Sequence, residues 1–296
     1  MTLTELRYIV ALSQTRHFGR AAKRCCVSQP TLSIGIQKIE EELGVALFER
    51  VRNEVYVTKM GEQLVAQAQR VLEEIEKFKT IATAGKNQLN EPLKIGVIFT
   101  IAPYLFPTLI PQLKKVAPTM PLFVIEDYTA HLRSKLRNGE VDAIFISLPF
   151  TETDIVTKKL YEEDFVVLMR KDHPLSQQTE ITLLELEKEN ILLLGSGHCF
   201  RDQVLAACSP CLQEGTHQQT VEGASLETLR HMVASGFGIT VLPESATQIK
   251  HYHHILCTRP FKGKKPRRAV ALAWRASFPR PKAITKLIEA FNLTMC

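Results

Sequence analysis

Ile191-Leu192-Leu193-Leu194-Gly195-Ser196-Gly197-His198-Cys199-Phe200-Arg201-Asp202-Gln203-Val204-Leu205-Ala206-Ala207-Cys208 holds a strand, a break and a helix in eighteen residues. The apolar run 191–194 reads as a short buried strand. The Gly-Ser-Gly triplet breaks it, and 200–207 reads as helix. Cys199 therefore sits where a strand turns into a helix. Unsatisfied backbone N–H groups and the positive end of the helix dipole at such a place favour a thiolate. His198 and Arg201 add hydrogen-bonding or positive character. On one continuous helix Cys199 and Cys208 would lie about 13.5 Å apart, whereas a disulfide needs Cα atoms within about 7 Å. Joining them requires the segment to unwind and refold. Two readings stay open here: a redox switch, or two small buried hydrophobes.

Working outward, strand and helix alternate through the C-terminal two thirds. Strands are expected at 93–99, 122–126, 141–147, 238–242 and 268–274, with a further run starting at 165. Helices are expected at 103–115, 129–138, 226–235 and near the C-terminus, where Ile284, Leu287, Ile288 and Phe291 share a face. Ser225 is a candidate helix cap, and Thr182 with Glu185 opens a short helix. This alternation argues a parallel α/β sheet. About 200 residues suit two lobes joined by crossover strands, lobe I from 91–163 plus 268–296 and lobe II from 164–267. Ligands of open α/β sheets bind beyond the C-terminal strand ends. Thr100, Thr129 and the His198–Cys199 pair occupy three such ends, although either threonine can serve merely as a helix cap.

Residues 1–58 read differently. Thr2 and Glu5 can form a capping box ahead of a first helix. A second short helix covers 18–25, and Ser28 and Pro30 suit the start of a third. The third helix buries Leu32, Ile36, Ile39 and Leu43, leaving Gln29, Thr31, Ser33 and Gln37 off that stripe. Two helices, a short turn and a polar third-helix face form a helix-turn-helix layout, whose Gln, Thr and Ser side chains can meet base edges or phosphates. Residues 47–50 and 55–57 flank a turn and read as a wing, with Arg50 and Arg52 placed for phosphates. Gly35, inside the third helix, costs up to about 1 kcal/mol relative to Ala. Residues 59–90 form a linker. Leu64, Ala68, Val71, Ile75, Phe78 and Ala82 alternate by four and three, a heptad seam for dimerisation, and 85–90 has hinge composition. The alternative is an amphipathic helix packed on its own domain.

Composition sets outer bounds. The chain has 296 residues, a formal net charge of +6 and seven scattered cysteines. No apolar run is long enough for a membrane span and no secretory signal is evident, so a cytoplasmic protein is expected. The cysteine pattern is not that of a secreted disulfide framework. Positive charge permits nucleic-acid binding. His251, His253, His254 and Cys257 lack fixed ligand spacing, and Cys208-Ser209-Pro210-Cys211 has no matching second pair, so no metal and no cofactor are expected.

Three stretches carry a resemblance: Phe18-Gly19-Arg20-Ala21-Ala22 through Val27-Ser28-Gln29-Pro30-Thr31-Leu32-Ser33 and Leu47-Phe48-Glu49-Arg50; Gly197 to Gln203 with Cys208; and Ser225 to Arg230 with Gly236 to Pro243. Together they resemble the LysR-type transcriptional regulators, and among them the hydrogen peroxide sensors of the OxyR type. The resemblance spans the whole chain. It implies a winged helix-turn-helix head, a long linker helix and an α/β effector domain of two periplasmic-binding-protein-like lobes. It implies a peroxide-responsive transcription factor, not an enzyme, switched by a Cys199–Cys208 disulfide that changes oligomer geometry and promoter contacts. Ser28, Gln29, Pro30, Thr31, Ser33, Gln37 and Arg50 are the implied contacts to double-stranded promoter DNA. Thr100, Thr129 and His198 are the implied peroxide ligands; Arg267 or Arg268, by its place on the expected second crossover strand, can stabilise the thiolate or the developing oxyanion. For the arginines the alternative is solvent or structural carboxylates. A homodimer or homotetramer is expected, with RNA polymerase as a further partner. Rival readings are a LysR-type regulator of a small organic effector with inert cysteines, and a thiol peroxidase-like enzyme, which would need neither wing nor linker helix.

Overall fold

The structure, a computed structural model, describes residues 1–51, 54–82, 88–207, 222–247 and 253–294. Arg52, His251, Cys208 and Cys211 lie outside the described residues. The head contains α1 (Leu3–Thr15), α2 (Phe18–Arg24), α3 (Gln29–Leu43) and a hairpin of β1 (Phe48–Val51) and β2 (Glu54–Val57). The Thr2–Glu5 capping box forms as expected, and the Ser28 hydroxyl accepts from the Thr31 N–H at 3.3 Å. Leu32, Ile36 and Ile39 of α3 meet Leu6, Ile9 and Leu12 of α1 in one core.

The linker helix α4 (Lys59–Ala82) enters that core. Val65 and Ala68 are buried in it, and Leu64, Val71 and Leu72 pack against it. This corrects part of the seam: Ala68 faces its own head and is not presented to a partner. Of the expected dimerising side chains, Ile75 lies past the head core and Phe78 is 72% exposed. Further along, Glu73 is buried where it pairs with Arg275 and accepts from Ser277, and Arg70 pairs with Asp154. The linker is thereby keyed to the effector domain as well as to the head.

The effector domain begins with β3 (Leu93–Val97), α5 (Ala102–Val116), β4 (Leu122–Glu126), α6 (Thr129–Arg137) and β5 (Ala143–Ser147). There follow β6 (Ile155–Arg170), α7 (Leu183–Leu186), β7 (Ile191–Leu194), α8 (Cys199–Ala207), β8 (Glu222–Gly223), α9 (Leu226–Ala234), β9 (Ile239–Pro243), β10 (Leu256–Pro260), β11 (Arg267–Arg275) and α10 (Pro281–Asn292). The strand order is β4-β3-β5-β11-β6-β9-β7-β8, with β10 also on β6. Strand β6 is the long crossover. Its residues 155–164 pair antiparallel with β11, and 165–168 pair with β9. One core gathers β3, β5, β11, α5 and α10; a second gathers Phe165–Met169, β7, α8, α9 and β9. In both lobes the sheet buries its apolar runs on two faces, which is why 143–147 and 191–194 read as continuous hydrophobic stretches rather than alternating ones. Among the described residues, no helix is long and apolar enough to cross a membrane.

Candidate functional site

Three strand-to-helix junctions converge. The β3–α5 turn supplies Ile98, Phe99 and Thr100. The β4–α6 junction supplies Asp127, Tyr128 and Thr129. The β7–α8 junction supplies Gly197, His198 and Cys199. The free volume between them is about 10 Å³, close to that needed by a single water-sized molecule. Gly197 is required in this wall. Its φ is 93°, and a Cβ there would come within 3.3 Å of the Tyr128 ring.

Each polar group arrives with a defined hydrogen-bonding state. Arg268 is 2% exposed. It donates from Nη1 to Thr100 Oγ1 at 2.8 Å, from Nη2 to the Thr100 carbonyl at 2.9 Å, and from Nε to Glu163 Oε1 at 2.7 Å. Since Thr100 Oγ1 accepts from Arg268, its own proton remains available to a solute in the cavity. Thr129 begins α6 without capping it. The cap is Tyr128, with no side-chain bond, so the expectation of a capping hydroxyl is corrected. The Thr129 hydroxyl is instead buried without a conventional hydrogen-bond partner, on the Cys199 side of the cavity, where it favours the thiolate. His198 is buried, and burial holds its pKa below the ordinary value against the opposing bond to the Ala224 carbonyl. That bond takes the proton of one ring nitrogen, so the other is an acceptor in the neutral ring. The imidazole is held edge-on by Tyr128 and Phe99, with centroids at 4.9 and 5.8 Å.

Cys199 begins α8. Burial pushes its thiol pKa up. Thr129, the charge of Arg268 and the Phe200 N–H pull the other way, while Asp202 adds to the rise. Desolvation thus works against the helix start on which the sequence argument relied. Arg267 is also corrected. It lies on the opposite face of β11 from Arg268, with its side chain 55% exposed and paired to Glu162 and Asp164 at 3.2 and 3.1 Å. Alternation along the strand fixes the difference: of two consecutive residues one must face out.

Four contributors escaped sequence reasoning. Phe99 and Tyr128 read as ordinary aromatics, and Glu163 as one of three consecutive carboxylates. Gln203 of α8 donates from Nε2 to Ser147 Oγ at 2.8 Å and to the Leu148 carbonyl at 3.0 Å, tying α8 across to the first core. Only the period-2 pattern of β6, with Glu163 falling on its inward face, offered a signal. Among the described residues, which include His253, His254 and Cys257, no group of three potential metal ligands gathers.

In the head, Gln29, Pro30, Thr31 and Gln37 are exposed on α3 and Ser33 is half-buried. Arg50 stacks over Phe18 at 4.0 Å and donates to Ser33 Oγ at 3.1 Å. Gly35 has a packing reason: a Cβ would lie 2.7 Å from the Tyr8 ring of α1.

Comparison with known proteins agrees at both ends of the chain. Residues 3–62 match the family model of bacterial regulatory helix-turn-helix proteins of the lysR family, and 86–294 match that of the LysR substrate binding domain. The chain is 37% identical over 296 residues to the DNA-binding transcriptional dual regulator OxyR of Escherichia coli, covering all of this chain and 96% of that protein. It is 38% identical over 280 residues to the hydrogen peroxide-inducible genes activator of Dickeya chrysanthemi, covering 94% and 91%. Among solved structures, a cysteine-to-aspartate variant of full-length OxyR from Pseudomonas aeruginosa superposes with a TM-score of 0.85 at 57% identity, covering 99% of this chain and 95% of that one. A cysteine-to-serine variant of Corynebacterium glutamicum OxyR with H2O2 bound gives 0.66 at 32% identity, covering 99% and 92%.

Proposed function

Since this chain belongs to the LysR family of bacterial regulatory helix-turn-helix proteins, we propose that it is a cytoplasmic, peroxide-responsive transcription regulator whose sensor is Cys199. The observation that carries the reading is the size and polarity of the cavity at the three strand ends. About 10 Å³ lined by Thr100, Thr129, His198 and Cys199 is on the scale of a water-sized solute, far smaller than an organic effector. In the proposed step the Cys199 thiolate attacks one peroxide oxygen, forming an S–O bond as the O–O bond breaks. The departing oxygen leaves as hydroxide and takes a proton. Donors aimed at that oxygen lower the barrier; in this reading Thr100, whose proton Arg268 leaves free, takes that role, and Thr129 turns its hydroxyl from the sulfur to that oxygen as charge moves there. Arg268 acts through Thr100 and through its charge on the sulfur. The sulfenic acid then condenses with Cys208, releasing water and forming the disulfide. The reaction is stoichiometric and serves as a signal. The DNA-reading set is Ser28, Gln29, Pro30, Thr31, Ser33, Gln37 and Arg50. A homodimer or homotetramer joined in part through Ile75 and Phe78 presents two heads, with RNA polymerase as the downstream partner.

The test is to measure two rates on Thr100→Val and Thr129→Val: oxidation by peroxide and modification by a bulky alkylating agent. Peroxide oxidation should fall roughly 10²–10³-fold, by analogy with removing an oxyanion-hole donor. Alkylation of Thr100→Val should stay near wild type. Thr129→Val should lose some alkylation rate through its thiol pKa, but much less than its peroxide rate. Equal proportional losses in both reactions would refute the peroxide cradle.

A further inference from the structure

Ile34 stands out on α3. Its side chain is 65% exposed, while Leu32, Ile36 and Ile39 of the same helix are 2% exposed or less. At 3.6 residues per turn it lies roughly 170° from the centre of that buried stripe. An amphipathic helix places polar groups there, and the surrounding exposed residues Pro30, Thr31, Gln37 and Lys38 follow that rule except for the apolar Pro30. The branched apolar side chain thus occupies the apex of the face that a helix-turn-helix inserts into the major groove. Its neighbour Gly35 admits the Tyr8 ring against α3, and Arg50 is stacked on Phe18 and bonded to Ser33 on the flank. The helix is therefore seated from below and fixed at one side, with Ile34 projecting.

In the major groove a thymine presents one apolar group, its C5-methyl, and short apolar side chains are its recognised partners. We propose that Ile34 is a specificity-determining residue that reads a thymine methyl in each half-site, beside the hydrogen-bonding Gln29, Thr31 and Gln37. The inference rests on the head being a DNA reader. An aliphatic side chain offers no hydrogen bond to a base edge, so the contribution is a hydrophobic contact and not a donor–acceptor pair.

The test starts from the full-length reduced protein and a random double-stranded DNA pool, from which bound sites are enriched and sequenced. Each thymine of the enriched site is then replaced by deoxyuridine, which deletes only the methyl. Dissociation constants are measured for the wild type and for Ile34→Ala. One thymine per half-site should show a loss of about threefold to fivefold on wild type, the order expected for one buried methyl. The same replacement should have no effect on Ile34→Ala. Circular dichroism should show the variant folded. If every deoxyuridine penalty persists unchanged in folded Ile34→Ala, the methyl reading is overturned while the head remains a DNA reader. If no site is enriched at all, the DNA-reading assignment falls and takes this inference with it.

Discussion

Side-chain alternation and burial decide the roles of single residues. Arg267 and Arg268 are neighbours with opposite fates, one in solvent and the other wired to Thr100 and Glu163. His198 yields a pH prediction. Burial lowers its folded-state pKa below the ordinary value of about 6.5. As pH falls below that value, the unfolded chain takes up a proton that the folded chain refuses. Stability should therefore decline with falling pH until the lowered folded-state pKa is passed, and be flat with respect to this group above about 6.5. Thermal unfolding of the reduced protein at several pH values should show this slope, and His198→Gln should lose the corresponding part of it. An identical slope in the variant would remove His198 as its source. Cys199 shows where sequence reasoning stopped: the helix start was visible in the spacing, but the desolvation that opposes ionisation is set by side chains from two other junctions.

The elements were legible in proportion to how local their causes are. Capping boxes at Thr2–Glu5 and Thr182–Glu185 and the Ser28 and Ser225 caps appear where expected, because each needs only four consecutive residues. Thr129 was misassigned for the converse reason: its hydroxyl is buried toward Cys199 of another helix and caps nothing in its own. The heptad reading of α4 missed the head core, since a seam and a packed face share nearly the same period. Helix α8 carries the element-scale prediction. It is anchored across the lobes by Gln203 on Ser147 and Leu148, and in the proposed switch these hydrogen bonds oppose the unwinding that a 199–208 disulfide needs. Closing so short a loop is worth roughly 2.5–3 kcal/mol at most in the chain-entropy model, so the two packings must lie within that range. Peptide mapping after peroxide treatment should recover a 199–208 link. A dominant 208–211 or 199–211 link would contradict the pairing.

For the whole molecule the question is how a cavity in the effector domain reaches the head. The physical path runs through α4, whose first half is part of the head core and whose Glu73 and Arg70 pair with Arg275 and Asp154 of the effector domain. Gln14 of α1 also donates to the Asn138 carbonyl at 2.9 Å. On the proposed reading, refolding of α8 would change the contacts that hold the two lobes together, and α4 is the element through which the heads of a dimer would be respaced. Such respacing alters which phosphates and bases both heads meet at once. The most direct measurement is a footprint of one promoter by reduced and by peroxide-treated protein, alongside Cys199→Ser. The wild-type footprint should change its extent or internal spacing on oxidation, with the Cys199→Ser footprint fixed in its reduced pattern. A wild-type footprint identical before and after complete 199–208 disulfide formation would contradict redox control of DNA contacts.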